Sequence, residues 1–140
     1  MLVHNGVIEN FTSIKRRLEA DGYQFRSATD SEVIAHLIDH SLQQRLAEGD
    51  AAPPEDPYEP LATAVRVALS QLRGTYGLVV VFQDHADVMI AARLGSPLVV
   101  GVGKGEHFVA SDASPLVGYT DKIVYLADHQ LAVVTRDDLR

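Results

Sequence analysis

The 140-residue chain contains no cysteine. Disulfide bonds and thiolate metal ligands are therefore excluded from it, and so is a cysteine nucleophile. A chain without cysteine fits a reducing compartment, and we expect it to work in the cytoplasm. Any chemistry at this chain that needs a thiol must take it from elsewhere.

Long apolar runs and clusters of basic residues are also missing. The longest apolar runs, such as Leu78–Phe82, are far shorter than a membrane-spanning helix. We expect no signal peptide, because a charged region followed by an apolar stretch is not seen at the start. The net charge is −7 without a basic run, which is not the footprint of a nucleic-acid-binding protein. Neither a membrane nor a nucleic acid is expected as a partner.

The residues that are present suit one globular domain, with 46% apolar and 22% charged residues. Apolar residues recur at helical spacing in three early segments, 10–22, 29–42 and 61–72, and the first is predicted to have Asn10 as its N-cap and Gly22 as its C′ residue. Segment 23–26 is predicted to be a short strand, and 111–118 to hold one or two helical turns. After Gly74 the pattern changes to short β-rich runs, at 75–83, 88–93, 98–102, 106–110, 122–126 and 130–135. Helices followed by a meander of strands predict an α+β fold with antiparallel sheets.

Three further expectations concern individual segments. Leu78–Phe82 is apolar without alternation, which predicts a strand covered on both faces and hence stacked sheets flanked by helices. Segments 122–126 and 130–135 are predicted to form a hairpin. The Pro-rich acidic segment 48–60 is predicted to be an exposed loop.

Asn5-Gly6 allows two interpretations. Asn-Gly is a strong signal for a two-residue hairpin turn, and the dipeptide alone favours that interpretation. In the other interpretation, the Asn5 side-chain amide and the Gly6 backbone N–H both donate to a developing oxyanion. Losing one such donor typically costs about 3 kcal/mol of transition-state stabilisation.

Asp30 also allows two interpretations. It stands in the first turn of a predicted helix, where a carboxylate complements the helix dipole by about 0.3–1 kcal/mol. In the other interpretation it pairs with the α-ammonium group of a ligand, although without context the structural interpretation is favoured. Glu32 follows Thr29 in a capping-box pattern, which explains it without a function. Oxyanion donors and an ammonium-binding carboxylate are two parts of an amidase site, and the nucleophile is not visible in the sequence.

Other candidates are weaker. His36 and His40 lie one turn apart on a helix and could bind zinc, but no third ligand is evident, so no metal is expected. Gly101–Gly105 has the glycines of a phosphate loop, but a strand follows it instead of a helix, and a tight turn explains it. Ser96 and Ser111 lack the surroundings of a nucleophilic serine and are interpreted as turn and cap residues.

Several blocks resemble a known family. HNGVIENF at 4–11 followed by TDSEVIAHLI at 29–38 resembles the glutaminase domains of glutamine–fructose-6-phosphate aminotransferases (isomerising). RGTYGLVVVF, then AARLGSPLVVGVGKGEHFVASDASPLVGYT, then IVYLADHQLAVVTRD extend the resemblance nearly end to end, weakest at 43–60. Other class II glutamine amidotransferases, such as amidophosphoribosyltransferase, share HNG and the acidic TD-type block.

The resemblance implies an N-terminal-nucleophile hydrolase fold, an αββα sandwich of antiparallel sheets. In that family an N-terminal cysteine attacks the amide of glutamine, its own α-amine serves as the base, and no cofactor takes part. Asn5 and Gly6 match the oxyanion donors. Asp30 matches the carboxylate that holds the α-amino group of glutamine, and Gly6 also lines that pocket. The released ammonia is used by separate sugar-phosphate isomerase domains to make glucosamine 6-phosphate.

The chain departs from the family pattern before HNG. The cysteine, its glycine-rich strand and a glutamine-binding Arg and Thr-His loop are not in these 140 residues, nor are the sugar-phosphate domains that bind fructose 6-phosphate. We expect residues 1–140 to be the C-terminal portion of a type-2 glutamine amidotransferase domain, incomplete at the N-terminus and inactive alone. Missing strands would expose sheet edges, which predicts a homo-oligomer. A non-catalytic module of the same fold, or the glutaminase part of another class II amidotransferase, remains an alternative.

Overall fold

The computed structural model describes residues 2–27, 29–47, 58–82, 85–103, 107–111 and 122–135. The chain divides into two compact units. We call Met1–Val7 with Thr75–Arg140 the strand unit and Ile8–Gly74 the helical unit, and describe each by itself. The predicted segments 48–60 and 111–118 fall mainly outside the described residues.

The helical unit contains all three predicted helices: α1 (Phe11–Ala20), α2 (Asp30–Ala47) and α3 (Glu59–Leu69). Helix α2 packs against both of the others. Each helix buries an apolar stripe with the spacing of a single helical face. The fully buried members of these stripes include Leu18, Ile34, Leu37, Ala64 and Val65. None of the helices in the described ranges is long and apolar enough to cross a membrane.

The two ends of α1 show which sequence signals for helix boundaries agree with the structure. Gly22 has φ +99, its N–H donates to the Glu19 carbonyl, and the N–H of Tyr23 donates to the Leu18 carbonyl. These are the two bonds of a Schellman motif, so the predicted helix end is confirmed. Asn10 occupies the N-cap position, but its side chain makes no capping bond.

The Asn10 side chain instead joins two distant parts of the helical unit. Its Nδ2 donates to the Gln71 carbonyl at 2.8 Å, and its Oδ1 accepts from the Arg73 N–H at 2.9 Å. Both ends of the amide are satisfied by the segment that follows α3. The prediction that Asn10 caps α1 through its side chain was therefore wrong, because a long-range partner replaces the local one.

The described residues of the strand unit form seven strands: β1 (Leu2–Asn5), β2 (Tyr76–Phe82), β3 (His85–Leu94), β4 (Val99–Val102), β5 (His107–Ala110), β6 (Lys122–Tyr125) and β7 (Leu131–Thr135). They form two antiparallel sheets, in the orders β1-β2-β3-β7 and β5-β4-β6. One core joins the two sheets, built from Ala91, Leu98, Val100, Leu126, Ala132 and Val134. The predicted α+β fold with stacked antiparallel sheets is confirmed.

Strand β2 is covered on both of its faces, as its unbroken apolar sequence predicts. Leu78 and Val80 are buried on one face. Val79, on the other face, is half-buried and packs against the core between the sheets. Both faces of β2 therefore carry apolar side chains that are shielded from solvent.

The predicted final hairpin was wrong. Strand β6 pairs with β4, whereas β7 pairs with β3 in the other sheet. The connecting residues 126–130 carry the chain from one sheet to the other, with His129 at φ +64. Sequence neighbours form a hairpin only when both strands join the same sheet, and here tertiary pairing decided otherwise.

Candidate active site

Asn5 and Gly6 lie at the end of β1. Asn5 is the last paired residue of that strand, opposite Gly77 of β2. The chain bends at Gly6, which has φ +127. Beyond the bend, the Val7 N–H donates to Thr75 Oγ1 at 3.2 Å, and the Thr75 N–H donates to the Val7 carbonyl at 2.8 Å. Because the partner of β1 comes from far along the chain, Asn5-Gly6 is not a two-residue hairpin turn, and that interpretation was wrong.

The donors of this pair face no protein acceptor in the described part of the chain. The Asn5 side chain is exposed, and neither its amide nor the Gly6 N–H makes a hydrogen bond to a described residue. An amide group without an internal partner can donate to the oxygen of a ligand. The Asn5 side-chain amide and the Gly6 N–H are therefore without a hydrogen-bond partner among the described residues.

The backbone at Gly6 is tightly enclosed. A Cβ atom at this position would overlap the Thr75 carbonyl oxygen and would lie 3.0 Å from Ser96 Oγ. Its positive φ is also a conformation that L side chains rarely adopt. Position 6 is thus reserved for glycine by both space and backbone geometry. Enclosure of this kind holds an N–H group in one direction, which an oxyanion site requires.

Asp30 is the first residue of α2, in the helical unit. Its Oδ2 accepts a hydrogen bond from the Ile8 N–H at 3.3 Å, and the residue is half-buried. Ile8 follows Gly6 by two positions in the sequence. Asp30 therefore has a structural contact as well as a favourable place at a helix N-terminus, and a ligand role would be added to these.

Glu32 organises the segment before α2 more than it caps the helix. The Thr29 hydroxyl accepts the Glu32 N–H at 3.4 Å, as a capping box requires. The Glu32 carboxylate turns instead to the Ser27 hydroxyl at 2.7 Å and the Arg26 N–H at 2.8 Å. The Ser27 hydroxyl, then the Arg26 N–H, then His36 lower the pKa of Glu32 from 4.5 to about 2.

His36 is engaged in packing. Its Nε2 lies 3.2 Å from Glu32, and its ring contacts Tyr23 and Phe25 at centroid distances of 5.2 and 4.7 Å. His40 contacts the edge of the Tyr23 ring. Within the described ranges, no group of three or more potential ligands gathers to hold a metal ion. These histidines are parts of an aromatic cluster of the helical unit.

Sequence reasoning missed one group of residues beside Gly6. The guanidinium of Arg93, at the end of β3, donates to the Ser96 carbonyl at 3.0 Å and to the Leu126 carbonyl at 2.6 Å. Asp128 lies 3.6 Å from Arg93 and accepts the Gly95 N–H at 2.8 Å. We call Arg93 and Asp128, with the loop Gly95–Pro97 that they hold, the Arg93 clamp. The sequence signal that could have identified this group is an arginine within the largely apolar strand β3.

The chain belongs to the family of the glutamine amidotransferase domain, whose model matches residues 1–118. Among solved structures it resembles the glutamine phosphoribosylpyrophosphate amidotransferase from B. subtilis, complexed with ADP and GMP. That likeness has a TM-score of 0.73 and 26% identity, over 99% of this chain and 28% of that one. A structure described as the allosteric regulatory enzyme of purine biosynthesis has a TM-score of 0.71 and 27% identity, over 99% of this chain and 27% of that one. The fold is that of the N-terminal-nucleophile hydrolase amidotransferases.

Curated relatives are closer in sequence. Glutamine–fructose-6-phosphate aminotransferase (isomerizing) of Chlorobaculum tepidum is 49% identical over 136 residues, which are 97% of this chain and 20% of that protein. The protein of the same name from Bacteroides thetaiotaomicron is 44% identical over 135 residues, 96% of this chain and 20% of that protein. The chain therefore spans about a fifth of the length of these relatives, and the resemblance inferred from the sequence is confirmed.

Proposed function

We propose that residues 1–140 are the C-terminal portion of the glutaminase domain of a glutamine–fructose-6-phosphate aminotransferase. That domain would release ammonia from glutamine for the synthesis of glucosamine 6-phosphate. Identity of 49% to a relative of that name, well above the 26% to the glutamine phosphoribosylpyrophosphate amidotransferase, favours this branch of the family. The observation that carries the proposal is the exposed Asn5 amide beside the enclosed, positive-φ Gly6.

Asn5 and Gly6 are proposed to stabilise the oxyanion. When a nucleophile adds to the side-chain carbonyl of glutamine, the carbonyl π electrons move to oxygen, which becomes negative. The Asn5 Nδ2–H and the Gly6 N–H would donate to that oxygen. Collapse of the tetrahedral intermediate then expels the amide nitrogen, which leaves as ammonia after taking a proton. Each donor is expected to contribute about 3 kcal/mol to the transition state.

Asp30 is proposed to bind the α-ammonium group of glutamine. A carboxylate that is half-buried forms stronger charge-assisted hydrogen bonds than one in open solvent. Its contact with the Ile8 N–H limits the directions that the carboxylate can take. Gly6 is also proposed to bind glutamine, because a side chain at this position would obstruct the substrate.

The attacking group is proposed to come from residues outside these 140, since the chain holds no cysteine. Fructose 6-phosphate would likewise be bound by domains outside them. We propose that the protein works in the cytoplasm, that it needs no cofactor for the glutaminase step, and that it forms a homo-oligomer. By itself the 140-residue chain is expected to produce glutamate from glutamine only at the background rate.

The test is an exchange of this chain for the segment that it matches in the Chlorobaculum tepidum relative. We expect the exchanged enzyme to release glutamate from glutamine. Asn5→Ala should lower kcat by about 10²–10³-fold with a smaller effect on KM. Asp30→Asn should mainly raise the KM for glutamine, because an amide cannot neutralise an ammonium group.

Matched controls separate these effects from general damage. Gln24→Ala removes an exposed carboxamide and Asp21→Asn neutralises an exposed carboxylate, and both variants should leave kcat and KM unchanged. An exchanged enzyme that folds, by circular dichroism, but does not release glutamate would contradict the assignment. So would an Asn5→Ala variant with full turnover.

A further inference from the structure

We infer that Arg93 is a positioning residue for the oxyanion donors, acting on Asn5 and Gly6 through the loop Gly95–Pro97. This inference rests on the proposed function. Arg93 would not touch the substrate itself. It would set the position of the backbone that carries the two donors.

Arg93 is held in a single orientation by bonds at both its backbone and its side chain. Its N–H donates to the Gln130 carbonyl at 3.4 Å, and its carbonyl accepts the His129 N–H at 2.8 Å. The guanidinium fork reaches two carbonyls at once, those of Ser96 and Leu126. A lysine cannot reproduce this fork, since it presents one compact ammonium group.

The loop held by this fork is fixed at a second point. Asp128 Oδ1 accepts the Gly95 N–H at 2.8 Å, and Gly95 has φ +79. A Cβ atom on Gly95 would come within 2.7 Å of Thr75 Cγ2, so the loop lies directly against Thr75. Thr75 in turn exchanges hydrogen bonds with Val7, the residue after Gly6.

The loop also contacts the backbone that carries the donors. Ser96 Oγ lies 3.0 Å from the Cβ position of Gly6. The Pro97 and Ser96 carbonyl oxygens lie 3.2 and 3.3 Å from the Cβ position of Gly77, which pairs with Asn5. At Gly77 the loop packs backbone against backbone, whereas it reaches Gly6 through the Ser96 hydroxyl. A shift of the loop should therefore move Gly77 directly and Gly6 through the Ser96 side chain.

The first test uses the 140-residue chain labelled with ¹⁵N-glycine, observed by NMR. Arg93→Lys should shift the amide resonances of Gly6, Gly77 and Gly95 and leave that of Gly22 unchanged. Asp128→Asn, which keeps an acceptor for the Gly95 N–H, should shift them less than Asp128→Ala. Arg66→Lys, at an exposed arginine of α3, should shift none of the four. Arg93→Lys and Asp128→Ala spectra in which Gly95 moves while Gly6 and Gly77 do not would overturn the inference.

The second test measures glutamine turnover in the exchanged enzyme described above. Arg93→Lys should lower kcat by about tenfold to a hundredfold, as a small misplacement of catalytic groups does, with KM changed less than about twofold. If Arg93→Lys fails to fold, Asp128→Ala and its conservative partner Asp128→Asn provide the same comparison. Full kcat in these variants, while Asn5→Ala is inactive, would overturn this inference alone. Full kcat in Asn5→Ala would overturn the proposed function instead.

Discussion

Gly6 and Gly22 both have positive φ, but only Gly6 is enclosed. A Cβ atom at Gly22 would have nothing within 4 Å, whereas one at Gly6 would overlap the Thr75 carbonyl. An unfavourable backbone conformation costs of order 1–3 kcal/mol at either position. Gly6→Ala should cost about 1–3 kcal/mol more, because the clash forces the backbone to move. Urea denaturation of the two variants measures the difference.

Gly22→Ala is the control for backbone conformation alone in this comparison. Equal losses in the two variants would mean that the crowding at position 6 is relieved without cost. That outcome would remove the rigid support on which the proposed oxyanion role of Gly6 depends.

Asn5 should separate stability from function. Its side chain is exposed and makes no hydrogen bond to a described residue. Asn5→Ala should therefore change the free energy of unfolding by less than about 0.5 kcal/mol, although it removes a proposed oxyanion donor. A thermal melt of the 140-residue chain checks this, with Asn10→Ala as the contrasting variant.

Asn10 bridges two backbone groups, and its replacement should cost about 1–3 kcal/mol. A loss of similar size in Asn5→Ala would point to a structural role.

At the residue scale, sequence reasoning could identify candidate residues whose role depends only on their type and their neighbours along the chain. Asn5-Gly6 and Asp30 could be proposed as candidates because an amide, a glycine and a carboxylate in the first turn of a helix are recognisable from the sequence. Arg93 was not found, because its role depends on carbonyls that only the fold brings within reach. A main-chain acceptor has no sequence signature.

Glu32 links α2 to the segment before it, and this link should respond to pH. Its carboxylate accepts from the Ser27 hydroxyl, the Arg26 N–H and His36, and these contacts lower its pKa from 4.5 to about 2. A depressed carboxyl pKa gives stability that is present in full above about pH 4.5 and is lost as the pH falls toward about 2. Glu32→Gln should therefore be less stable than the natural chain at neutral pH, with a smaller difference near pH 2.

Urea denaturation at pH 6, 4 and 2.5 measures this effect. The control is Glu19→Gln, at an exposed glutamate whose carboxylate makes no hydrogen bond to a described residue. That substitution should leave the pH dependence of the natural chain intact. The stability of the Glu32→Gln variant should fall less steeply between pH 6 and 2.5 than that of the natural chain. An equally steep fall would contradict the assignment of this loss to Glu32.

At the scale of elements, the helices and strands were predictable, but strand partners were not. Apolar periodicity is a local property, and all three helices and all six later strands lie where it predicts them, with boundaries shifted by a few residues. Pairing is not local. Strands β6 and β7 follow each other closely, yet each reached a partner in a different sheet. Segment 23–26 was predicted as a short strand and is irregular, because Glu32 binds its end instead.

For the whole molecule, the oligomeric state is the remaining prediction, and β1 supplies its test. β1 stands at the end of its sheet's strand order. Val3 on β1 is 63% exposed, and Val7, two residues beyond the end of β1, is 66% exposed. Exposed apolar residues on and beside an edge strand favour association with another chain. We expect light scattering to give at least twice the monomer mass of 15.2 kDa.

The double variant Val3→Lys, Val7→Lys should return the mass to that of one chain, because charge on an edge strand opposes pairing. Val67→Lys, at a valine of α3 that is 43% exposed, should not change it. A natural chain that remains monomeric as its concentration rises would contradict the prediction, and equal dissociation by Val67→Lys would move the interface away from β1.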